Sequence, residues 1–379
     1  MGAGREVRPA RRRLVSGAHT PGNAFVIPQR LRPDNFTPPE RTPWGGRSIV
    51  GRLKAGLRLD VNPEVPVGES WEVSTEPSFP SVLDGGQRLV DAVGADLAGW
   101  LGIDVAAEHG GCPLLVKVID AAEHLSVQVH PAEDHPLLAE GETGKTEAWI
   151  VLGAAPGARI YLGFREGVDA RQVEACLTSG GALSALMNEV FVREGDVYLI
   201  RPGLAHALGA GTTVLEPQRV RPYRRSITYR YWDWNRGYDD HGRVSDGGTP
   251  RPLHVAEALA ATRWQGPQGD ALVALTRREP VALPAGGRLV RWRLLDEPEL
   301  WAERWEGSGT APLPRVGTLL ALVCLDGAVD VTWEGGTLAL TAGQSAVVPA
   351  GAAAVRASLD DAHLALCCVP PAPGPRARG

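Results

Sequence analysis

The stretch Leu125-Ser-Val-Gln-Val-His-Pro131 alternates apolar and polar residues, and that alternation decides how the chain is read. A period of two belongs to a strand: Leu125, Val127 and Val129 leave one face, while Ser126, Gln128 and His130 leave the other. Upstream, Leu114-Leu-Val-Lys-Val-Ile119 is a β-branched apolar run of the kind buried on both faces of a sheet. Downstream, Ala148-Trp-Ile-Val-Leu152 and Arg159-Ile-Tyr-Leu162 flank an Ala-Pro-Gly turn and read as a hairpin. Further strands are expected from Asp196 to Ile200, Thr213 to Glu216 and Ile227 to Trp232.

Helices are few. Asp169 to Leu186 places Val173, Cys176, Leu177, Leu183 and Leu186 along one stripe, and Val255 to Arg263 is a second candidate. With 46 Gly and 31 Pro there is little room for long helices, so the fold class is mostly β. Beyond Gly266-Pro-Gln-Gly-Asp270 the pattern becomes dense alternation, from Arg288 through Thr318 to Leu325, Ala328 to Trp333 and Ala362 to Val369. Short strands broken by Gly-Gly and Asp-Gly turns signal a second all-β unit. We therefore expect a catalytic domain at 21–264 with a small helical insertion at about 168–190, and a C-terminal barrel at 271–369. Disordered ends are expected at 1–20 and 370–379, which are biased toward Pro, Gly and Arg.

The bulk numbers exclude several function classes. A net charge of -5 argues against nucleic acid as a partner. No apolar run approaches a membrane span. The basic start, Met1 to Arg13, leads into no apolar segment of a signal peptide. Five cysteines, an odd number with no Cys-x-x-Cys pair, suit a reducing compartment, and a cytoplasmic location is expected. Gly209-Ala-Gly211 lacks the third glycine of a dinucleotide fingerprint and precedes a strand, so it reads as a turn. Oligomeric state is not legible.

Four residues form a candidate metal set: Gln128, His130, Glu147 and His206. Gln128 and His130 share a strand face, Glu147 opens the next strand, and His206 sits in the turn Arg201-Pro-Gly-Leu-Ala-His-Ala207. Two imidazoles, a carboxylate and an amide oxygen suit a borderline divalent ion such as zinc. On spacing alone, the commoner reading of each is an ordinary core or surface residue.

The surrounding motifs shift that balance. Leu125-Ser-Val-Gln-Val-His-Pro131, Gly144-Lys-Thr-Glu-Ala-Trp149 and Pro202-Gly-Leu-Ala-His-Ala207 resemble, in order and spacing, the signature segments of type I phosphomannose isomerases. Gly68-Glu-Ser-Trp-Glu72, Pro113-Leu-Leu-Val-Lys117, Leu215-Glu216 and Thr228-Tyr-Arg-Tyr-Trp-Asp-Trp234 extend the resemblance from about Trp44 to Ala261. It implies two cupin-type, jelly-roll-like β-barrels, the first carrying a helical insertion. It also implies one zinc ion per chain on Gln128, His130, Glu147 and His206, and catalytic roles for Arg230, Lys145 and Glu216. Ser126 and Arg236 fall where phosphate would be held, with members of the Arg219 to Arg225 cluster as further candidates. That loop is longer and more basic than in many relatives.

The implied reaction interconverts mannose 6-phosphate and fructose 6-phosphate through an enediol or enediolate. Lys145 beside a cation would have its ammonium form disfavoured, with Glu216 and a bound water as rival proton carriers. Two alternatives stand beside this reading: a cupin iron oxygenase, from the two-histidine, one-carboxylate set, and a non-catalytic sugar-binding cupin. Gln128 weighs against the first, Lys145 and Arg230 against the second.

Overall fold

The computed structural model describes residues 26–62, 64–239 and 243–372. The expected disordered start and residues 373–379 of the expected tail lie outside them. Strands hold 40% of the described residues and helices 16%, so the fold is mostly β, as the alternation predicts.

Three sheets and a cover of helices stack in layers. The first sheet has the strand order Arg277–Arg278, Val197–Ile200, Thr146–Ala154, Thr212–Arg219, Leu114–Ala121 and Glu69–Val73. Facing it is a second sheet of Tyr229–Trp232, Val127–Val129, His206–Leu208, Arg159–Phe164 and Met187–Phe191. The third and largest is C-terminal, built around the long strands Trp301–Pro312, Leu320–Trp333 and Arg356–Cys368. Among the described residues no ladder joins the edges of the first two sheets, so the N-terminal half is a pair of facing sheets, not a closed hydrogen-bonded cylinder.

Side-chain alternation sorts these layers. In the first sheet Val116, Val118, Ala148, Ile150, Val197 and Leu199 face the C-terminal sheet, where Ala321, Val323, Val347 and Cys367 meet them. Their neighbours Ile119, Trp149, Val151, Tyr198, Ile200 and Val214 face Ile160, Leu162 and Leu208 of the second sheet. That is why Leu114–Ala121 is buried along its whole length: both faces are covered. The C-terminal strands alternate likewise, with Leu320, Leu322, Cys324, Trp305 and Leu364 turned into a core of their own. Each buried Val, Leu or Ile there contributes about 1.5–3 kcal/mol, so the shared core fixes the two halves together.

Two helices cover the outer face of the second sheet. Ala170–Thr178 starts at a capping box in which Asp169 and Gln172 bond reciprocally, and it buries Val173. Val255–Ala261 docks on Tyr229–Trp232, where the Tyr231 hydroxyl donates to the Ala258 carbonyl at 2.8 Å. Three short helices between Leu89 and His109 pack against the core shared by the two halves.

The N-terminal strand Gln29–Arg30 pairs with Ser345–Val348 of the C-terminal sheet, so the first described residues serve the second unit. Lys54 reinforces that seam. Its fully buried ammonium meets Glu72 at 2.7 Å, and Glu72 in turn accepts from the Ser345 hydroxyl at 2.6 Å. All five cysteines are free thiols. No helix among the described residues is long and apolar enough to cross a membrane.

Candidate metal centre

The second sheet aligns three side chains in one row. His206 lies directly opposite Gln128 in the antiparallel register, and Arg230 lies opposite Gln128 on its other side. Paired residues share a face, so all three look toward the first sheet. There Glu147 is the register partner of Gln218, and Glu216 is that of Lys117. A polar cluster thus sits between two apolar layers, at the end of the inter-sheet core.

Glu147 is the hub. Its Oε2 is 3.2 Å from His130 Nε2 and 2.7 Å from Lys145 Nζ, and its Oε1 is 3.3 Å from His206 Nε2. Gln128 Nε2 is 3.4 Å from His206 Nε2. Turning that amide over would place Oε1 at the same point. His130, Glu147 and His206 are buried to 1% exposure or less, with their ligand atoms within 4.8 Å of one another.

The residues fit a divalent cation on chemical grounds. His206 Nδ1 is 2.8 Å from the Leu204 carbonyl and His130 Nδ1 is 3.2 Å from the Ile227 carbonyl. A carbonyl accepts only, so each ring donates there and leaves Nε2 as a bare lone pair turned on Glu147. His130 Nε2 and Glu147 Oε1 are buried with no hydrogen-bond partner. Such orphaned atoms cost free energy unless something occupies the space between them. A cation does so.

The electrostatics agree. Burial, assisted by Lys145, pushes His130 down to about 4, so the ring is neutral near pH 7. Burial works against the Glu147 carboxylate, yet the Lys145 ammonium outweighs it and holds it well below the usual carboxylate range. Burial also works against the Lys145 ammonium, but Glu147 and Glu216 overcome it and its pKa rises. The lowered lysine expected beside a cation is therefore not a property of the residues alone. Glu216 goes the other way: burial and then Glu147 raise it to about 7.

Over this centre lies a cavity of about 620 Å³. Ser126, Gln128, Lys145, Glu216, Gln218 and Arg230 line it, while His130, Glu147 and His206 sit behind that lining. Arg230 donates from Nη1 to the Pro252 carbonyl at 2.9 Å, and its buried Nε has no partner. Ser126 Oγ donates to Gln128 Oε1 at 3.4 Å.

Arg236 does not reach the cavity. Its guanidinium is spent on the His124 carbonyl and Asp233, each at 2.7 Å. Arg251 does line the cavity, and it is held by Asp233 through bonds of 2.7 and 2.8 Å from Nε and Nη2. Of the basic loop, Arg221, Tyr223 and Arg225 line the cavity; Arg219 pairs with Glu133 and Arg225 with Glu142.

Three further groups were not marked by spacing. Trp149 Nε1 donates to Glu216 Oε1 at 3.0 Å. Gln218 touches both carboxylates. Lys117 projects into the cavity, 4.4 Å above the Trp71 ring and 3.5 Å from Glu69. Its visible signals were a lysine inside an otherwise apolar run and its place at the end of the Pro113–Lys117 segment.

Comparison with known proteins gives a consistent family. Residues 40–144 match the family described as phosphomannose isomerase type I, catalytic domain. A mannose-6-phosphate isomerase of Streptococcus mutans is 29% identical over 309 residues, covering 81% of this chain and 88% of that protein. The crystal structure of the Bacillus subtilis mannose 6-phosphate isomerase superposes with a TM-score of 0.73 at 23% identity, covering 90% of this chain and 99% of that one. A mannose 6-phosphate isomerase bound with zinc and yttrium has a TM-score of 0.66 at 18% identity, again over 90% and 99%. The fold is shared with these cupin enzymes.

Proposed function

We propose that this chain, which belongs to the type I phosphomannose isomerase family, interconverts mannose 6-phosphate and fructose 6-phosphate at one zinc ion held by Gln128, His130, Glu147 and His206. The observation that carries the metal is the pair of Nε2 atoms turned on a single buried carboxylate, with His130 Nε2 and Glu147 Oε1 left without a hydrogen-bond partner. Relatives that bear the activity in their names, and a related structure bound with zinc, support the substrate and the ion.

When bound, the ion supplies a Lewis acid that draws negative charge onto the sugar's carbonyl oxygen. The remaining work falls to side chains. The reaction moves a proton between C2 and C1, and charge grows on the two oxygens as it moves. Arg230, at the edge of the same strand row and with a free buried Nε–H, is set to bond those oxygens as they become anionic. Its register with Gln128 fixes how far it stands from the centre.

Glu216 is the group we assign to proton transfer. A carboxyl near pKa 7 can give and take a proton near neutral pH, whereas Lys145 is locked as an ammonium by Glu147 and Glu216. Lys145 then acts by keeping Glu147 ionised and by donating toward the substrate from the cavity wall. The phosphate is assigned to Ser126 and Arg251, with Arg221 at the mouth.

A coupled assay for fructose 6-phosphate tests the reading. Turnover of mannose 6-phosphate that disappears with chelator and returns with zinc is expected. No turnover by the zinc-loaded protein would sink it.

A further inference from the structure

We infer that Gln218 is a positioning residue of the metal centre, an uncharged clamp that holds two buried carboxylates and aims one of them at the ion. The inference rests on the metal-centre reading above and adds to it a residue outside the ligand set.

Gln218 is 1% exposed and neighbours both acids by construction of the sheet. It is two residues beyond Glu216 on the strand Thr212–Arg219, so both leave the same face, and it is the cross-strand partner of Glu147. Two carboxylates crowded into a dry site repel each other, and each needs donors. The amide nitrogen of Gln218 has two hydrogens. One is donated to Glu147 Oε2 at 3.3 Å, the other to Glu216 Oε2.

The consequence lies in how Glu147 is divided. Its Oε2 collects both donors, Gln218 and Lys145, while its Oε1 is left without a hydrogen bond and faces His206 Nε2. Donors gathered on one oxygen fix the plane of the carboxylate and keep the other oxygen open. Lys145 alone could not do this, because a single ammonium on a flexible stem fixes a distance but not an orientation. A neutral donor also adds no positive charge to a centre that must attract a cation. Glutamine meets both requirements. Asparagine, one methylene shorter, would not span the two acids.

The test is metal binding, read without turnover. Gln218→Met keeps the volume and removes the donor. Zinc affinity should fall by about 10–100-fold, the usual cost of losing an outer partner of a ligand, and the visible absorption of the cobalt-loaded protein should change as the carboxylate swings. Thermal unfolding of the metal-free variant reports whether it folds. If it does not, Gln218→Ala removes the donor without adding charge and leaves room for water beside the two acids, and its cobalt spectrum should differ from wild type. Wild-type affinity and an unchanged spectrum in a folded variant overturn the role of Gln218 while leaving the isomerase reading intact. A wild-type protein that binds neither zinc nor cobalt overturns both.

Discussion

His206 and Gln128 stand directly across from one another on adjacent antiparallel strands, their side-chain nitrogens 3.4 Å apart, and Glu147 reaches the same point from the facing sheet. The centre is therefore a product of two sheets brought face to face, not of any one segment. Its candidate ligands are separated by up to 78 residues in the chain, and each is placed by a register that the hydrophobic layers enforce.

Removing either imidazole should empty the site. His130→Ala and His206→Ala should each lower zinc affinity by more than about 100-fold, beyond the loss typical of an outer partner, and abolish turnover in parallel. Metal analysis of the purified variants checks this. Full metal content in either variant contradicts the ligand set.

Arg230→Ala separates catalysis from metal binding. Its guanidinium touches no ligand atom, so zinc content should stay at the wild-type level while kcat falls by about 10²–10³, the cost of one donor to a developing oxyanion. Equal losses of metal and rate would show that Arg230 supports the centre itself.

Arg251 and Arg236 share Asp233 but differ in reach, since only Arg251 lines the cavity. Arg251→Ala should raise KM for mannose 6-phosphate by about 10-fold or more, in line with a charged hydrogen bond to phosphate. Arg236→Ala should change it far less. Steady-state kinetics of the two variants decides, and the reverse ranking would return the phosphate to Arg236.

The buried acid and imidazole give the metal-free protein opposing responses to pH. Glu216, raised to about 7 by burial and Glu147, binds its proton more tightly folded than unfolded, so its contribution to stability grows as pH falls from about 7 toward 4.5. His130, pushed down to about 4 by burial and Lys145, binds its proton less tightly folded than unfolded, so stability is lost as pH falls from 6.5 toward 4. The two effects offset each other in the wild type. Glu216→Gln leaves the loss from His130 uncovered, on the order of 3 kcal/mol across the window. Urea unfolding of both proteins at several pH values checks this, and parallel curves would refute it.

How much of this could be read from residues alone differs from place to place. Alternation puts Gln128 and His130 on one face, because period two is a local property, but the strand is only Val127–Val129, and Leu125, expected beside Val127 and Val129, packs in the other core. The layering is not local. Nothing near Gln29 announces that it pairs with Val347, or that Val116 and Ile119 face different cores. Arg236 and Arg251 look alike in sequence, both basic and near Arg230. Only the fold shows that Asp233 and the His124 carbonyl consume the first. Gln218 carried no charge and no motif, so its place between two carboxylates emerged only from the register.

The most direct test of the centre is an anomalous diffraction map, at the zinc absorption edge, of crystals of the zinc-loaded protein. One peak about 2.0–2.2 Å from His130 Nε2, His206 Nε2 and a Glu147 oxygen, with Gln128 turned to offer Oε1, is the expected result. A zinc peak bound elsewhere, with these four side chains in contact only with one another, would contradict the account.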